Sequence, residues 1–126
     1  MAGCSIYFKE VSPKTKLIAV EPEGAPALKV SMDKGFPVEL QEIDKFVDGA
    51  AVQRVGDKTF EIIQKNAEDV ILVPEGKVCT TILSLYNEEA IVVEPAGALT
   101  VACLDFYAEE IKGKRIVLVV SGSNND

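Results

Sequence analysis

The chain contains the stretch Lys114-Arg115-Ile116-Val117-Leu118-Val119-Val120-Ser121-Gly122-Ser123-Asn124-Asn125-Asp126, and this stretch decides the predicted fold. Its five consecutive apolar residues are too few for an independent helix, and the valines among them favour extended structure. An apolar run without polar alternation predicts a strand buried on both faces of a parallel sheet. The small and polar residues that follow would lie at the carboxyl end of that strand, where open α/β sheets bind ligands. An ordinary turn after a core strand is the alternative interpretation.

Apolar runs and amphipathic spacings predict the other elements of the chain. Strands are expected at residues 17–20 and 70–73, a short extended piece at 91–93, and helices at 2–11, 24–34, 57–67, 74–89 and 95–112. In the last two helices, the inward side chains would include Tyr86 and Phe106. Asp57 is predicted as an N-cap, and Gly35 and Gly113 are predicted to follow helix ends. Apolar strands that alternate with helices indicate one α/β domain over residues 1–126, with a mainly parallel sheet flanked by helices.

Composition excludes several classes of function. The net charge of -7 over 126 residues argues against a nucleic-acid partner, and no apolar run approaches the length of a membrane span. Three widely spaced cysteines and a first segment without the pattern of a secretory signal predict a reduced, cytoplasmic protein. The sequence has no histidine, which removes Ser-His and Cys-His nucleophile chemistry. Any reaction must therefore use lysine, carboxylates, hydroxyl groups or a cofactor.

Four stretches could form a site, although each also has a plain structural interpretation. They are residues 48–52, a turn followed by small residues; 74–77, a helix start; 94–98, a helix start with small residues; and 121–125, a hydroxyl and amide cluster. No glycine-rich nucleotide-binding motif is present. Singly, none of these stretches identifies a function.

In their order along the chain, however, these stretches resemble a known family. The segments are Val20-Glu21-Pro22, Val47-Asp48-Gly49-Ala50-Ala51-Val52, Arg54-Val55-Gly56-Asp57-Lys58-Thr59-Phe60, Val93-Glu94-Pro95-Ala96-Gly97-Ala98-Leu99 and Val119-Val120-Ser121-Gly122-Ser123-Asn124. Together they resemble the threonine dehydratase (threonine ammonia-lyase) family over essentially the whole chain. That family consists of pyridoxal-phosphate enzymes whose fold is shared with serine dehydratase, serine racemase and the tryptophan synthase β subunit. This fold is known as fold type II of the pyridoxal-phosphate enzymes, and the resemblance implies that the chain forms part of such a domain.

The resemblance also indicates which parts of such an enzyme lie elsewhere. Family members carry a Schiff-base lysine in a Ser-x-Lys-x-Arg-Gly context and a run of glycines for the cofactor phosphate. None of the lysines here has that context, and Met1-Ala2-Gly3 matches the segment after the glycine run. We therefore expect residues 1–126 to be the carboxyl-side part of a catalytic domain, with no catalytic lysine of its own and a tendency to self-associate through unpaired apolar surface.

Cofactor-binding roles follow from the resemblance residue by residue. Ser121 matches the serine whose hydroxyl faces the pyridine nitrogen of pyridoxal phosphate, and Gly122 keeps the backbone close to the ring. Gly49 matches a loop beside the ring and substrate, and Glu94 matches a carboxylate near the same pocket. Ser123 departs from the family, which usually has Gly or Ala there.

A cation site is the remaining feature that the resemblance implies. Some relatives bind a cation through a glutamate, a backbone carbonyl four residues on and an acidic residue two further. Glu21 and Ala25 match the first two ligands, but Ala27 stands in the third place. The candidate metal residues are therefore Glu21 and Ala25 alone.

The implied function is conversion of L-threonine to 2-oxobutanoate and ammonia, a step of isoleucine biosynthesis, by a homo-oligomer that includes the remainder of the catalytic domain. Serine ammonia-lyase or racemase activity is an alternative of the same fold. If the chain is the entire polypeptide, a non-catalytic remnant or assembly partner is the other alternative.

Overall fold

The computed structural model describes residues 1–123 and shows a small parallel sheet between helices. Strands β1 (Ile18–Pro22) and β2 (Asp69–Val73) pair in parallel, with Ile18 opposite Asp69 and Pro22 opposite Val73. The helices are α1 (Ala2–Val11), α2 (Ala27–Lys34), α3 (Asp57–Asn66), α4 (Glu75–Glu89), α5 (Pro95–Ala102), a 3₁₀ turn (Cys103–Phe106) and α6 (Ala108–Ile111). The predicted α/β architecture with a parallel sheet is confirmed.

The two faces of the sheet bury two separate hydrophobic clusters. One cluster joins Val70 of β2 to Leu28 of α2 and to Phe60 and Ile63 of α3. The other joins the opposite face of β2 to α4, α5 and the segments next to them, and its buried members are Val47, Ile71, Val73, Val78, Val93, Ala98, Leu99, Ala102 and Cys103. Because successive side chains of a strand point to opposite faces, a largely apolar β2 can serve both clusters. Helices therefore cover both sides of the sheet.

Helix α2 shows how local chemistry sets the ends of a helix. It starts at Ala27 rather than at residue 24, because the amide of Ala25 first closes a turn onto the carbonyl of Pro22 at 3.1 Å. It ends as predicted at Gly35, which has the left-handed φ of 82° that glycine adopts without strain. At the start of α3, Gly56 is the N-cap and Asp57 is the first helical residue, one position later in the helix than predicted.

Residues 36–56 form neither helix nor strand, and we call them the long loop. The loop is fastened to α2 by Ser31, whose buried hydroxyl donates to the carbonyl of Ala27 at 2.6 Å and accepts from the amide of Val38 at 2.9 Å. Farther along, Val47 is 1% exposed within the core cluster next to α4 and α5. A loop of this length is uncommon inside a small domain, and such loops usually serve a function or act as linkers.

The predicted strand at residues 116–120 is wrong for this chain. The segment forms no strand pairing within residues 1–123, and Val117 is 86% exposed. An apolar run becomes a buried strand only where neighbouring strands and helices cover it, and here only Leu118 is half-buried while the other four residues are exposed. Residues 91–93 likewise form no strand, although Val93 is buried.

The predicted helix over residues 95–112 is also wrong in its length. The helix ends at Ala102, continues as the 3₁₀ turn and then as the short α6. The tighter turn places Asp105 in an ion pair with Lys77 of α4, which links the two helical segments. Phe106 and Tyr86 are exposed rather than inward, although Val78, Ile82 and Leu85 of α4 pack into the core as predicted.

Two further predictions are the polar cluster at residues 121–125 and the absence of a membrane-spanning segment. Asn124, Asn125 and Asp126 lie outside the described residues, so the polar cluster is seen only as far as Ser123. Among residues 1–123, no helix combines the length and hydropathy needed to cross a bilayer.

Candidate functional site

The first turn of α5 forms the floor of the candidate site. Glu94 is the N-cap residue with extended backbone, and Pro95 occupies the first helical position, where its missing amide hydrogen costs nothing. Ala96 and Gly97 follow and present almost no side chain. This helix start is therefore open to close approach by other backbone segments.

The segment after residue 118 runs directly across that helix start. Thr100 donates its hydroxyl to the carbonyl of Val119 at 3.0 Å, and the amide of Glu94 donates to the carbonyl of Gly122 at 3.2 Å. A Cβ atom on Gly97 would overlap the carbonyl group of Ser121, so only glycine allows this approach. The hydrogen bonds and the close contact fix Ser121 at the amino end of α5.

Gly122 turns the chain around the carboxylate of Glu94. Its φ of 67° lies in the left-handed region, and an added Cβ would overlap the Glu94 carboxylate. Gly122 thus meets both requirements that favour glycine, a positive φ and a close neighbour.

Gly49 of the long loop approaches the same helix start from the other side. A Cβ on Gly49 would lie 2.9 Å from the Cβ of Ala96 and 3.5 Å from Oε1 of Glu94. Gly49 sits in a turn in which the amides of Ala50 and Ala51 bond the carbonyl of Val47 at 2.9 and 2.8 Å. The buried Val47 thereby holds the turn against the body of the domain.

The structure brings together the four predicted cofactor residues, Ser121, Gly122, Gly49 and Glu94, around the first turn of α5. Their binding role stays a prediction, while their proximity is observed. Gly97 belongs to the same cluster, and the run of small residues after Glu94 was the sequence signal for it. The contacts that hold the long loop at Gly24, described below, had no signal in the sequence.

The predicted cation residues lie elsewhere, at the end of β1. Glu21 is 7% exposed, and its two carboxylate oxygens accept the amides of Leu28 and Lys29 at 2.8 and 2.9 Å. Burial raises the pKa of Glu21, and these two hydrogen bonds oppose the rise. Both oxygens already serve the amino end of α2, and residues 1–123 contain no group of three His, Cys, Asp or Glu side chains placed to hold a metal ion. The geometry lends no support to a cation site at Glu21 and Ala25.

The donor set at the amino end of α5 can be compared with what the ring of pyridoxal phosphate requires. Ser121 is exposed, and its hydroxyl forms no hydrogen bond within residues 1–123. A free neutral hydroxyl can face a pyridine nitrogen without holding it protonated as a carboxylate would. The glycines on either side leave room for a flat ring system beside the backbone. The residues present therefore fit the ring-nitrogen side of that cofactor.

Comparison with known proteins identifies the family of the chain. The sequence profile described as "Pyridoxal-phosphate dependent enzyme" matches residues 1–122. The chain belongs to this family. Membership covers nearly the whole chain, and the family is described by its dependence on pyridoxal phosphate.

Individual members of the family show similarity over the same length. The chain is 60% identical over 126 residues to "L-threonine dehydratase biosynthetic IlvA" of Halalkalibacterium halodurans, covering 100% of this chain and 30% of that protein. Threonine deaminase isoform 2 of Solanum lycopersicum superposes with a TM-score of 0.92 at 37% identity, over 99% of this chain and 35% of that one. Serine racemase of Dictyostelium discoideum superposes with a TM-score of 0.88 at 29% identity, over 99% and 40%. These superpositions confirm the predicted fold, and the chain spans about 30% of the length of the curated relative.

Proposed function

We propose that this chain is the carboxyl-side part of the catalytic domain of a pyridoxal-phosphate-dependent threonine dehydratase, which converts L-threonine to 2-oxobutanoate and ammonia. The observation that carries the proposal is the convergence of Ser121, Gly122, Glu94 and Gly49 on the first turn of α5. Identity of 60% to a biosynthetic threonine dehydratase over the full chain supports the choice of substrate. Isoleucine biosynthesis is the pathway that this reaction would serve.

The cofactor, when bound, supplies an electron sink for the carbon next to the amino group of the substrate. Ser121 would hold the ring nitrogen through a neutral hydroxyl, which makes the sink weaker than a carboxylate partner would. Loss of a β-hydroxyl needs less delocalisation of charge than transamination does, so a serine suits elimination. Gly122 and Gly97 hold the Ser121 backbone against α5, and the amide of Glu94 fixes its position through the carbonyl of Gly122.

The lysine that moves the substrate proton would come from the other part of the domain, because no lysine here lies in the family's Schiff-base context. Gly49 and Glu94 would border the substrate from the side of the long loop. All three cysteines are free thiols, as expected of a protein that works in the reducing cytoplasm. We propose that the parent enzyme acts there as a homo-oligomer.

Serine ammonia-lyase or racemase activity is the second candidate. The superposition on serine racemase at a TM-score of 0.88 supports it, since the same backbone can serve both reactions. A non-catalytic role of the chain as an assembly partner is the third.

A hybrid enzyme tests the proposal. In the hybrid, this chain replaces the matching 126 residues of the Halalkalibacterium halodurans dehydratase, and formation of 2-oxobutanoate is measured with and without added pyridoxal phosphate. We expect cofactor-dependent activity on L-threonine. Ser121→Ala should lower kcat/KM about tenfold, the effect of one lost hydrogen bond to the ring.

Ser123→Ala is the matched control, because it removes a hydroxyl two positions away and restores a residue type that the family usually has. It should retain activity. A folded, cofactor-loaded hybrid without activity on L-threonine would refute the proposal. Activity on L-serine alone would favour the second candidate, and an inactive hybrid that no longer binds cofactor would favour the third.

A further inference from the structure

We propose that Glu75 is a positioning residue for the site. Its carboxylate acts through Gly24 and Asp44 and sets where the long loop presents Gly49 to Glu94. The consequence for catalysis rests on the proposed function, whereas the effect on the loop can be measured without it.

Gly24 is a junction between three segments of the chain. Its amide donates to Oε1 of Glu75 in the first turn of α4 at 2.7 Å, and its carbonyl accepts the amide of Asp44 in the long loop at 2.9 Å. A Cβ on Gly24 would lie 2.5 Å from both Oε1 of Glu75 and the Cβ of Asp44. The turn after β1, the long loop and α4 therefore meet with no spare room, and a shift of one of them displaces the others.

A short segment with its own hydrogen bonds connects Asp44 to Gly49, so the position of Asp44 affects that of Gly49. Oδ1 of Asp44 accepts the amide of Phe46 at 2.7 Å, and the buried Val47 follows directly. The turn closed on the Val47 carbonyl then carries Gly49 to the Cβ of Ala96. Only four residues separate Asp44 from Gly49, so loosening the first affects the second.

The loop has few other tethers in this region. Leu40 bonds Gln53 at 2.8 Å, but both residues belong to the loop itself. Within residues 1–123, the hydrogen bond from Asp44 to Gly24 is the one that ties positions 39–46 to a segment outside the loop. Glu75 in turn accepts the hydrogen bond from the Gly24 amide, so this carboxylate supports the tether between the loop and Gly24.

The proposed role requires an acceptor oxygen rather than a charge, and this separates it from an ordinary helix-end effect. Glu75 also lies in the first turn of α4, where a negative charge stabilises the helix dipole. Glu75→Gln removes the charge but keeps an oxygen for the Gly24 amide. Glu75→Ala removes both. A dipole effect would appear in both variants, and a positioning effect only in the alanine variant.

Amide hydrogen exchange of residues 44–50, followed by mass spectrometry on the 126-residue chain, is the first measurement. Glu75→Ala should raise exchange there about tenfold, Glu75→Gln should stay near the parent, and exchange in β1 and β2 should not change. Glu88→Ala, at the other end of α4, is the matched control and should behave like the parent. Gly24→Ala perturbs the junction from its other side and should reproduce the rise.

Kinetics of the hybrid enzyme are the second measurement. Glu75→Ala should raise KM for L-threonine about tenfold with a smaller change in kcat, and Glu75→Gln should restore KM. Unchanged amide exchange at residues 44–50 in Glu75→Ala would overturn the inference. An equal rise in exchange, or in KM, in both Glu75 variants would also overturn it. A parent hybrid that is folded and loaded with cofactor but inactive would refute the proposed function, and the exchange result would still decide the role of Glu75.

Discussion

Among single residues, Glu21 couples a strand end to a helix start through a carboxylate that is almost completely buried. Its two oxygens satisfy two of the amides that every helix leaves unpaired at its amino end. The same burial disfavours the charged form of the group. Glu21 therefore stabilises α2 by hydrogen bonding while its ionisation opposes folding.

This coupling predicts a pH dependence of stability. Because the folded-state pKa of Glu21 is raised, the folded protein binds more protons than the unfolded chain between the ordinary glutamate pKa of about 4.3 and the raised value. The stability contribution is therefore complete below the ordinary pKa and is lost as pH rises through the raised one. The free energy of unfolding of the parent minus that of Glu21→Gln, measured by urea denaturation, should fall with pH across this window.

Glu23→Gln provides the comparison, since it removes an exposed negative charge two residues away. The difference in unfolding free energy between the parent and Glu23→Gln is subtracted, at each pH, from the difference between the parent and Glu21→Gln. A corrected difference that rises with pH would contradict the raised pKa.

At the scale of elements, β2 and the segment at residues 116–120 have nearly the same apolar composition but different surroundings. Val73 is 0% exposed and Val117 is 86% exposed. Val73→Ala should lower the free energy of unfolding by about 2 kcal/mol, because it removes buried methyl groups. Val117→Ala should change it by less than about 0.5 kcal/mol. Equilibrium denaturation of the two variants checks this, and equal losses would show that residues 116–120 are packed in solution.

The same pair shows how far sequence reasoning can reach. The ends of α2 and the positions of β1, β2 and α3 depend on neighbours in sequence, such as Gly35, and these elements were predicted to within a few residues. Whether residues 116–120 form a buried strand depends on whether other segments cover them, and the residues themselves do not determine this. The 3₁₀ turn after Ala102 also depends on a distant partner, since it brings Asp105 to Lys77.

The candidate site was predictable for a related reason. Ser121, Gly122, Glu94 and Gly49 were found through motifs whose order resembles a family, not through periodicity. The junction at Gly24 was not found, because its amide donates to Glu75, 51 residues away, and its carbonyl accepts from Asp44, 20 residues away, and no sequence spacing indicates these contacts.

For the molecule as a whole, the exposed apolar residues are the feature that most favours self-association. Ile91, Val92, Val117 and Val119 are all exposed in residues 1–123. Exposed apolar surface next to an unpaired extended segment favours contact between copies. We expect the chain to self-associate with increasing concentration in sedimentation velocity experiments.

The double variant Val117→Lys/Val119→Lys tests which surface is responsible. It should weaken association while leaving the unfolding free energy nearly unchanged, because both positions are exposed. Association as strong as that of the parent would place the contact elsewhere, and a strictly monomeric parent would contradict the expectation altogether.

The pairing of β1 with β2 has a consequence for biosynthesis. Ile18 pairs with Asp69, which lies 51 positions later, so the sheet cannot begin to form until Asp69 has been synthesised. At ribosomal speeds of about 5 to 20 residues per second, the nascent chain presents an unmatched β1 edge for roughly 3 to 10 s. During that interval β1 is open to chaperones and to wrong partners, so slowing translation between these two codon positions should lower the soluble yield.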